Sequence, residues 1–203
     1  MGIRQESKQQ SRQKIIDAMR LLLQEKKADS INIEDITTKA GIAKGSFYTH
    51  FKRKEDVISV IAMEQYGAMM ENIFALSGNT YDRLCEYLRC SAKIIDENTL
   101  QIAQNWMKSV TAPIDDEHGG VDKYRYDSDN ILHLLKKGVE KGELAENTPT
   151  DALTEIIMNA YYGAVANWCI TGGEKGLVTG IDNFCEYGLK TIIEEFKEEK
   201  SCK

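Results

Sequence analysis

Residues 32–54, NIEDITTKAGIAKGSFYTHFKRK, are typical of two short helices joined by a tight turn. Asn32 is a good N-cap, and Asp35 three positions later can bond back to it as in a capping box. Gly41 ends the first helix, since glycine takes the left-handed backbone conformation at little steric cost. The pattern therefore predicts a helix-turn-helix, in which the second helix is offered to the major groove of DNA.

The second helix, predicted over 44–51, has an apolar face and a polar face. Phe47 and Phe51 are four residues apart and share one side of a helix, so we assign them to the core. Lysines and a tyrosine hydroxyl suit phosphates, whereas short polar side chains and histidine suit base edges. The predicted DNA-contacting residues are Asn32, Lys44, Gly45, Ser46, Tyr48, Thr49, His50 and Lys54.

Residues 35–58, DITTKAGIAKGSFYTHFKRKEDVI, combine four features that together point to one family. They are an apolar-x-x-x-Ala-Gly turn at 36–41, a glycine followed by a hydroxyl residue at 45–46, an aromatic pair at 47–48, and Phe51 ahead of a lysine-rich hinge. The run resembles the DNA-binding signature of the TetR family of bacterial transcriptional regulators, and the resemblance is strong over residues 12–60. It implies a repressor that binds an inverted-repeat operator on double-stranded DNA as a homodimer and is released by a small-molecule effector.

One position departs from the pattern of that family. Ala43 stands where the family has Ser or Thr, so the second helix lacks its side-chain cap and one hydroxyl that would meet a phosphate. The missing cap costs about 1 kcal/mol of local stability.

Composition and charge predict an all-α chain with a basic head. The 203 residues include only two prolines and no alternating Val/Ile/Thr runs. Residues 1–54 hold 12 Lys and Arg against 6 Asp and Glu, whereas residues 55–203 hold 14 against 26. A basic head attracts phosphates while an acidic body is repelled by them. We therefore predict a three-helix DNA-binding domain at 1–54, a helical effector-binding and dimerisation domain at 55–203, and about nine helices in all.

Helical periodicity sets the bounds that we expect for the elements. Residues 1–10 are polar and are interpreted as a disordered arm, with Ser11 capping the first helix. A long helix over 56–76 would start beside the helix-turn-helix and continue into the body. Further helices are predicted over 81–98, 99–110, 150–170 and 181–197, and one more resumes at Ile131 and stops at Gly142.

Aromatic and methionine side chains in the body suit a ligand chamber. Methionines adapt to irregular shapes, and helical bundles commonly enclose pockets between their helices. Each such residue, taken singly, is more often part of the core than of a pocket. The candidate effector-pocket residues are Tyr66, Met70, Phe74, Trp106, Met107, Tyr161, Tyr162 and Trp168.

The last two predicted helices carry the longest apolar stripes and are the candidates for a dimer interface. Small residues in them would let two backbones approach closely, so two helices from each subunit would form a four-helix contact. The alternative is that the same stripes complete the hydrophobic core of a single subunit. The candidate interface residues are Ala160, Ala164, Phe184, Gly188 and Ile192.

Two other classes of protein remain as alternatives: an enzyme and a helical protein-interaction module. The sequence has no nucleophile elbow, no phosphate-binding glycine loop and no H-E-x-x-H motif, so we predict no catalytic residue and no cofactor. Residues 115–118 with Asp129 and His133 are a conceivable metal site, but a solvated acidic loop is favoured and no metal is predicted.

The cysteines and the absence of apolar segments predict a cytoplasmic protein without a membrane partner. Five cysteines show no C-x-x-C pair, and Cys85 and Cys90 fall on different sides of a helix, which indicates reduced thiols rather than a redox switch. The polar N-terminus lacks a signal segment, and no apolar run reaches membrane-spanning length.

Overall fold

The structure, a computed structural model, describes residues 3–97, 100–111 and 119–197. Within these residues the chain forms nine helices and a short 3₁₀ turn, with no β-strand beyond an isolated antiparallel bridge between Leu144 and Lys197. The all-α prediction and the expected number of helices are confirmed. The chain divides into two compact units, Met1–Gly67 and Ala68–Lys203.

The first unit is built around the helix-turn-helix. Its elements are α1 (Ile3–Glu25), a 3₁₀ turn (Ala28–Ser30), α2 (Ile33–Ala40), α3 (Lys44–Tyr48) and the first part of α4 (Lys54–Ala75). Helix α1 packs against α2 and α3. The buried core residues of this unit include Ile15, Ile16, Met19, Ile36, Phe47, Phe51, Val57 and Ile58.

The predicted disordered arm is wrong for residues 3–10, which form the first two turns of α1. This segment contains Gln, Glu, Lys and Arg, which are good helix formers, and no proline interrupts it. Ser11 does not cap the helix. Its hydroxyl donates a hydrogen bond to the Ser7 carbonyl, 3.0 Å away and one turn back.

The second unit contains the five remaining helices. They are α5 (Thr80–Glu97), α6 (Leu100–Thr111), α7 (Gly119–Glu140), α8 (Thr150–Ile170) and α9, which begins as Leu177–Phe184, passes through a π-helical turn at Cys185–Leu189 and ends as Lys190–Glu195. Helix α7 packs against α5, α6 and α8, and α9 packs against α5 and α8. The buried core residues include Leu84, Leu88, Ile131, Leu134, Leu135, Leu153, Ile157, Val165, Ile181, Leu189 and Ile193.

Two of these helices begin earlier than predicted. Helix α7 starts at Gly119 rather than Ile131. The apolar pattern does not show its first half, because a buried position there is taken by Asp127 instead of an apolar residue. Helix α9 starts at Leu177 rather than Ile181, although it includes Gly180, a poor helix former. In both cases packing overrides the local pattern.

A half-buried ion pair joins the start of α5 to the turn that follows α7. Arg83 is buried and donates to Glu143 Oε2 at 2.5 Å, and the Thr80 hydroxyl donates to the same oxygen at 2.7 Å. Gly138 lies at this contact. A Cβ at position 138 would overlap Thr80 Oγ1 and come within 3.0 Å of Leu144 Cδ1, so only glycine allows the two segments to approach this closely.

Candidate DNA-binding surface and ligand site

The start of α2 is held by the predicted capping box. The Asn32 side chain accepts a hydrogen bond from the Asp35 amide at 2.9 Å, and Asp35 Oδ2 accepts one from the Asn32 amide at 2.9 Å. Gly41 ends the helix with φ of 65°, and its amide bonds back to the carbonyls of α2. The tight turn between α2 and α3 therefore follows from residues that the sequence singles out.

Helix α3 is shorter than predicted and is anchored by phenylalanine. It ends at Tyr48, and the predicted last turn at 49–51 is not part of it. Phe47 is fully buried and packs against Phe51, with ring centroids 6.0 Å apart, so the assignment of both to the core is confirmed. Ala43 is the N-cap and offers no side-chain hydrogen bond.

Six residues of α3 and the turn after it are exposed or half-buried and form what we call the α3 surface: Lys44, Gly45, Ser46, Tyr48, Thr49 and His50. Tyr48 is 52% exposed, with its ring set edge-on against Phe47 at 5.5 Å. The Lys44 ammonium bonds to Glu34 at 2.8 Å, and both side chains are exposed. Such a surface ion pair is weak, so Lys44 can exchange Glu34 for a phosphate at small cost.

Positive charge from α1 adds to this surface. Burial, together with Lys8 and Arg12, lowers the pKa of His50, so its imidazole is neutral at physiological pH. The Arg12 guanidinium lies 5.1 Å above the centre of the Phe51 ring. The sequence does not indicate that Lys8 and Arg12 are neighbours of α3, since residues 1–10 are interpreted as a disordered arm and Arg12 falls in the first predicted helix.

Two of the predicted DNA-contacting residues have structural roles in the first unit. The Lys54 ammonium donates to three carbonyls, those of Ala28 at 2.9 Å, Asp29 at 3.3 Å and Ile31 at 2.8 Å. Asn32 caps α2. Lys54 would have to release these carbonyls to contact a phosphate directly.

The second unit holds a polar cluster that the sequence reasoning did not identify. Its centre is Asp127 of α7, which has no exposed surface. Asp127 accepts hydrogen bonds from the hydroxyls of Tyr87 at 2.5 Å and Tyr162 at 2.6 Å, and it forms an ion pair with Lys123 one turn earlier. The only sequence signal was the i, i+4 spacing of Lys123 and Asp127, which more often marks a solvated helix face.

Three of the predicted pocket residues lie at this cluster. Trp106 stacks on Tyr162 at 5.6 Å, and Tyr161 meets the same ring edge-on at 5.2 Å. Phe74 lies elsewhere, partly exposed, against the His133 ring at 5.0 Å. The other four are buried or half-buried side chains of α4, α6 and α8: Tyr66, Met70, Met107 and Trp168.

The predicted dimer residues Ala160, Ala164, Phe184, Gly188 and Ile192 are all half-buried in the single chain. The more exposed apolar residues of the same two helices are Ile156 and Ile170 of α8 and Tyr187 of α9, at 47%, 82% and 78%. Ile156, Gly163 and Ile170 recur seven residues apart, so they share one face of α8. We call Ile156, Gly163, Ile170 and Tyr187 the α8–α9 face.

Cys85 and Cys90, the two cysteines compared in the sequence, have different hydrogen-bond partners in the structure. The thiols of Cys85 in α5 and Cys185 in α9 share a hydrogen bond that lowers the pKa of Cys85. Cys90 donates to Glu86 at 3.1 Å, and burial with this bond raises its pKa to about 11. All four cysteines that the structure describes are free thiols.

The described residues contain neither a cluster of His, Cys, Asp and Glu that could hold a metal ion nor a helix long and apolar enough to cross a membrane. The acidic segment 115–118, weighed above as a metal site, lies outside the described residues.

The chain resembles known proteins in both sequence and fold. The sequence model of the bacterial regulatory proteins of the tetR family matches residues 15–61. The HTH-type transcriptional regulator YfiR of Bacillus subtilis is 23% identical, covering 95% of this chain and 96% of that protein.

Two solved structures have the same fold. FadR of Thermus thermophilus, a TetR family repressor in complex with lauroyl-CoA, has a TM-score of 0.66 at 15% identity, covering 95% of this chain and 98% of that one. FadR of Bacillus subtilis in complex with stearoyl-CoA has a TM-score of 0.60 at 18% identity, covering 89% and 97%.

Proposed function

We propose that the chain is a member of the TetR family of bacterial regulatory proteins, whose sequence model matches residues 15–61, and that it is a cytoplasmic repressor. It binds an inverted-repeat operator as a homodimer and leaves the operator when a small molecule binds in the second unit. The observation that carries this proposal is the α3 surface, which presents Lys44, Tyr48 and Thr49 to solvent while Phe47 is buried. The short helix can thus enter a major groove without exposing its apolar core.

Phosphates give most of the affinity and base edges give the sequence preference. Lys44 and the Tyr48 hydroxyl contact phosphates, and Lys8 and Arg12 add positive charge beside them. Ser46, Thr49 and His50 face base edges. A neutral His50 offers one donor and one acceptor to a base.

The homodimer forms through the α8–α9 face. Large apolar side chains that are as exposed as Ile170 and Tyr187 are typical of surfaces that another protein covers. Gly163 has no neighbouring atom within 4 Å of the position of a Cβ, so a second backbone can approach α8 there. A two-fold dimer would present two copies of α3 to the two half-sites of a palindrome.

The ligand binds in the second unit, where Trp106 and Tyr162 stack beside the Asp127 cluster. A ligand that binds the released state more tightly shifts the dimer away from the DNA-bound state, and a few kcal/mol of differential affinity is sufficient.

The test of DNA binding is a gel shift or fluorescence anisotropy titration with DNA that flanks the protein's own coding region. The affinity should fall steeply as salt is raised, because binding releases counterions from the phosphates. Lys44→Ala should lower the affinity and reduce the slope of log affinity against log salt by about 1. Tyr48→Ala should also weaken binding, and Tyr48→Phe separates the role of the hydroxyl from that of the ring.

The matched control is Lys39→Ala. Lys39 is exposed and paired with Glu25 at 2.6 Å, as Lys44 is paired with Glu34, but it lies on α2 rather than α3. Its loss should leave DNA affinity within experimental error. Equal effects of Lys39→Ala and Lys44→Ala would refute the α3 surface as the contact, and no binding to any native fragment at low salt would refute the proposed function.

A further inference from the structure

The Asp127 carboxylate is a fully buried anion inside the second unit. Its Oδ1 accepts from Tyr87 and its Oδ2 accepts from Tyr162, at 2.5 and 2.6 Å, while the Lys123 ammonium contacts both oxygens. A buried carboxylate is tolerated only when hydrogen bonds and an opposite charge compensate for the lost water. The cluster therefore holds one positive charge close to Asp127.

Aromatic rings lie beside this ion pair. The Tyr162 ring is 5.6 Å from Trp106 and 5.3 Å from Tyr124, and the Lys123 ammonium is 5.9 Å from the centre of the Tyr161 ring. A carboxylate together with the faces of Trp and Tyr rings is the set of groups that binds organic cations. Lys123 thus occupies the position that a cationic ligand would take.

Lys123 is a replaceable occupant of this position. Its side chain is 13% exposed, and burial lowers its pKa even though Asp127 acts in the opposite direction. A lysine ammonium is strongly hydrated and is carried on a flexible four-carbon chain, so it regains hydration when it swings into water. A ligand with its own ammonium group can supply the same charge to Asp127 and leave Lys123 solvated.

We infer that the second unit recognises an organic cation, an alkyl- or arylalkylammonium ion, which binds Asp127 among these rings in place of the Lys123 ammonium. The inference rests on the proposed function, since it names the class of the effector. It also separates this chain from the solved structures in complex with lauroyl-CoA and stearoyl-CoA. A fatty acyl chain laid against Asp127 would offer it no hydrogen bond and no charge.

The experiment is isothermal titration calorimetry on the purified full chain, with Trp fluorescence as a second readout because Trp106 stacks on Tyr162. The probes are phenethylammonium and its neutral counterpart of similar size, 2-phenylethanol. The wild-type protein should bind the ammonium at least about tenfold more tightly than the alcohol. Lys123→Ala should raise the affinity for the ammonium by about a further tenfold, since it removes the internal competitor. Asp127→Asn should abolish the preference.

Two exposed residues of the same helix provide matched controls. Lys136→Ala and Asp129→Asn remove the same charges at exposed positions of α7 and should leave both affinities unchanged. Equal affinities for the ammonium and the alcohol in the wild-type protein would overturn the inference, as would a Lys123→Ala protein that binds the ammonium no better. If the variants do not fold, the ratio of the wild-type affinities for the ammonium and the alcohol decides whether the inference holds.

The calorimetry contains no DNA, so its outcome is independent of the proposed function. If the protein prefers the ammonium but binds no native DNA, the cation site is supported and the proposed regulatory function is refuted. If the protein binds an operator but shows no preference for the ammonium, only the cation site is refuted.

Discussion

A serine at position 43 should stabilise α3, the helix that carries the proposed DNA contacts. Ala43 already has the extended backbone of an N-cap, with φ of −70° and ψ of 148°, and its carbonyl accepts from the Ser46 amide at 2.9 Å. Only a side-chain acceptor is missing. A serine hydroxyl can accept from the second or third amide of the helix, and replacing Ala by Ser at an N-cap typically contributes about 1 kcal/mol. In a helix of five residues this is a large share of the local stability.

Amide hydrogen exchange on the full chain measures this gain directly. If α3 exchanges through local opening, 1 kcal/mol corresponds to about fivefold slower exchange of its amides in Ala43→Ser. Ala43→Val provides the control, because valine is also compatible with the extended conformation but has no oxygen to accept a hydrogen bond. Equal exchange rates in the Ser and Val variants would refute the reasoning that α3 lacks a cap.

Three further predictions concern the second unit. Ile170→Glu should convert the proposed homodimer to a monomer in sedimentation, since it places a charge on the apolar α8–α9 face. Gly138→Ala should lower the free energy of unfolding by about 1–3 kcal/mol in urea titrations, because its Cβ would overlap Thr80 Oγ1. Burial raises the pKa of Glu143 and hydrogen bonds from Arg83 and Thr80 lower it, with a net decrease. Its contribution to stability is thus present above its ordinary pKa of 4.5 and lost as pH falls through the lowered value, so Glu143→Gln should flatten this part of the pH–stability curve.

Each of these predictions has a matched control in the chain. Leu21→Glu changes a half-exposed leucine of α1 and should leave the proposed homodimer intact. Gly67→Ala adds a Cβ where no atom lies within 4 Å, so it should not destabilise the protein. Glu140→Gln removes an exposed partner of Lys137, and it should change the pH dependence less than Glu143→Gln does. A control that behaves like its test variant would contradict the corresponding mechanism.

The head was the most predictable part of the chain, because its local chemistry and its packing agree. Asn32 and Asp35 form the expected capping box, and Gly41 takes the expected left-handed conformation. The segment 3–10 was misjudged for the opposite reason: a helix that is polar all round shows no apolar periodicity, although its residues have good helix propensity.

The candidate sites were less predictable, because they depend on contacts between distant parts of the chain. In the sequence, Lys54 is one of several positive charges in a basic hinge. Only the fold brings its ammonium to carbonyls 23–26 residues earlier. Asp127 is 35 residues from Tyr162 and 40 from Tyr87, and no local pattern reports that these three side chains meet. Composition alone predicts Trp106, Tyr161 and Tyr162 as pocket residues, but it does not reveal the carboxylate that Tyr162 contacts.

The three carbonyls around Lys54 restrict which cation can stand at the start of α4. Three acceptors that converge on one nitrogen match the three N–H bonds of an ammonium group, whereas a guanidinium presents its five N–H bonds as a flat fork. Lys54→Arg would conserve the charge but would not reproduce the three hydrogen bonds that the ammonium donates to these carbonyls. A lysine here is therefore explained by folding alone, and its presence in another protein of this shape would carry no information about which DNA that protein reads.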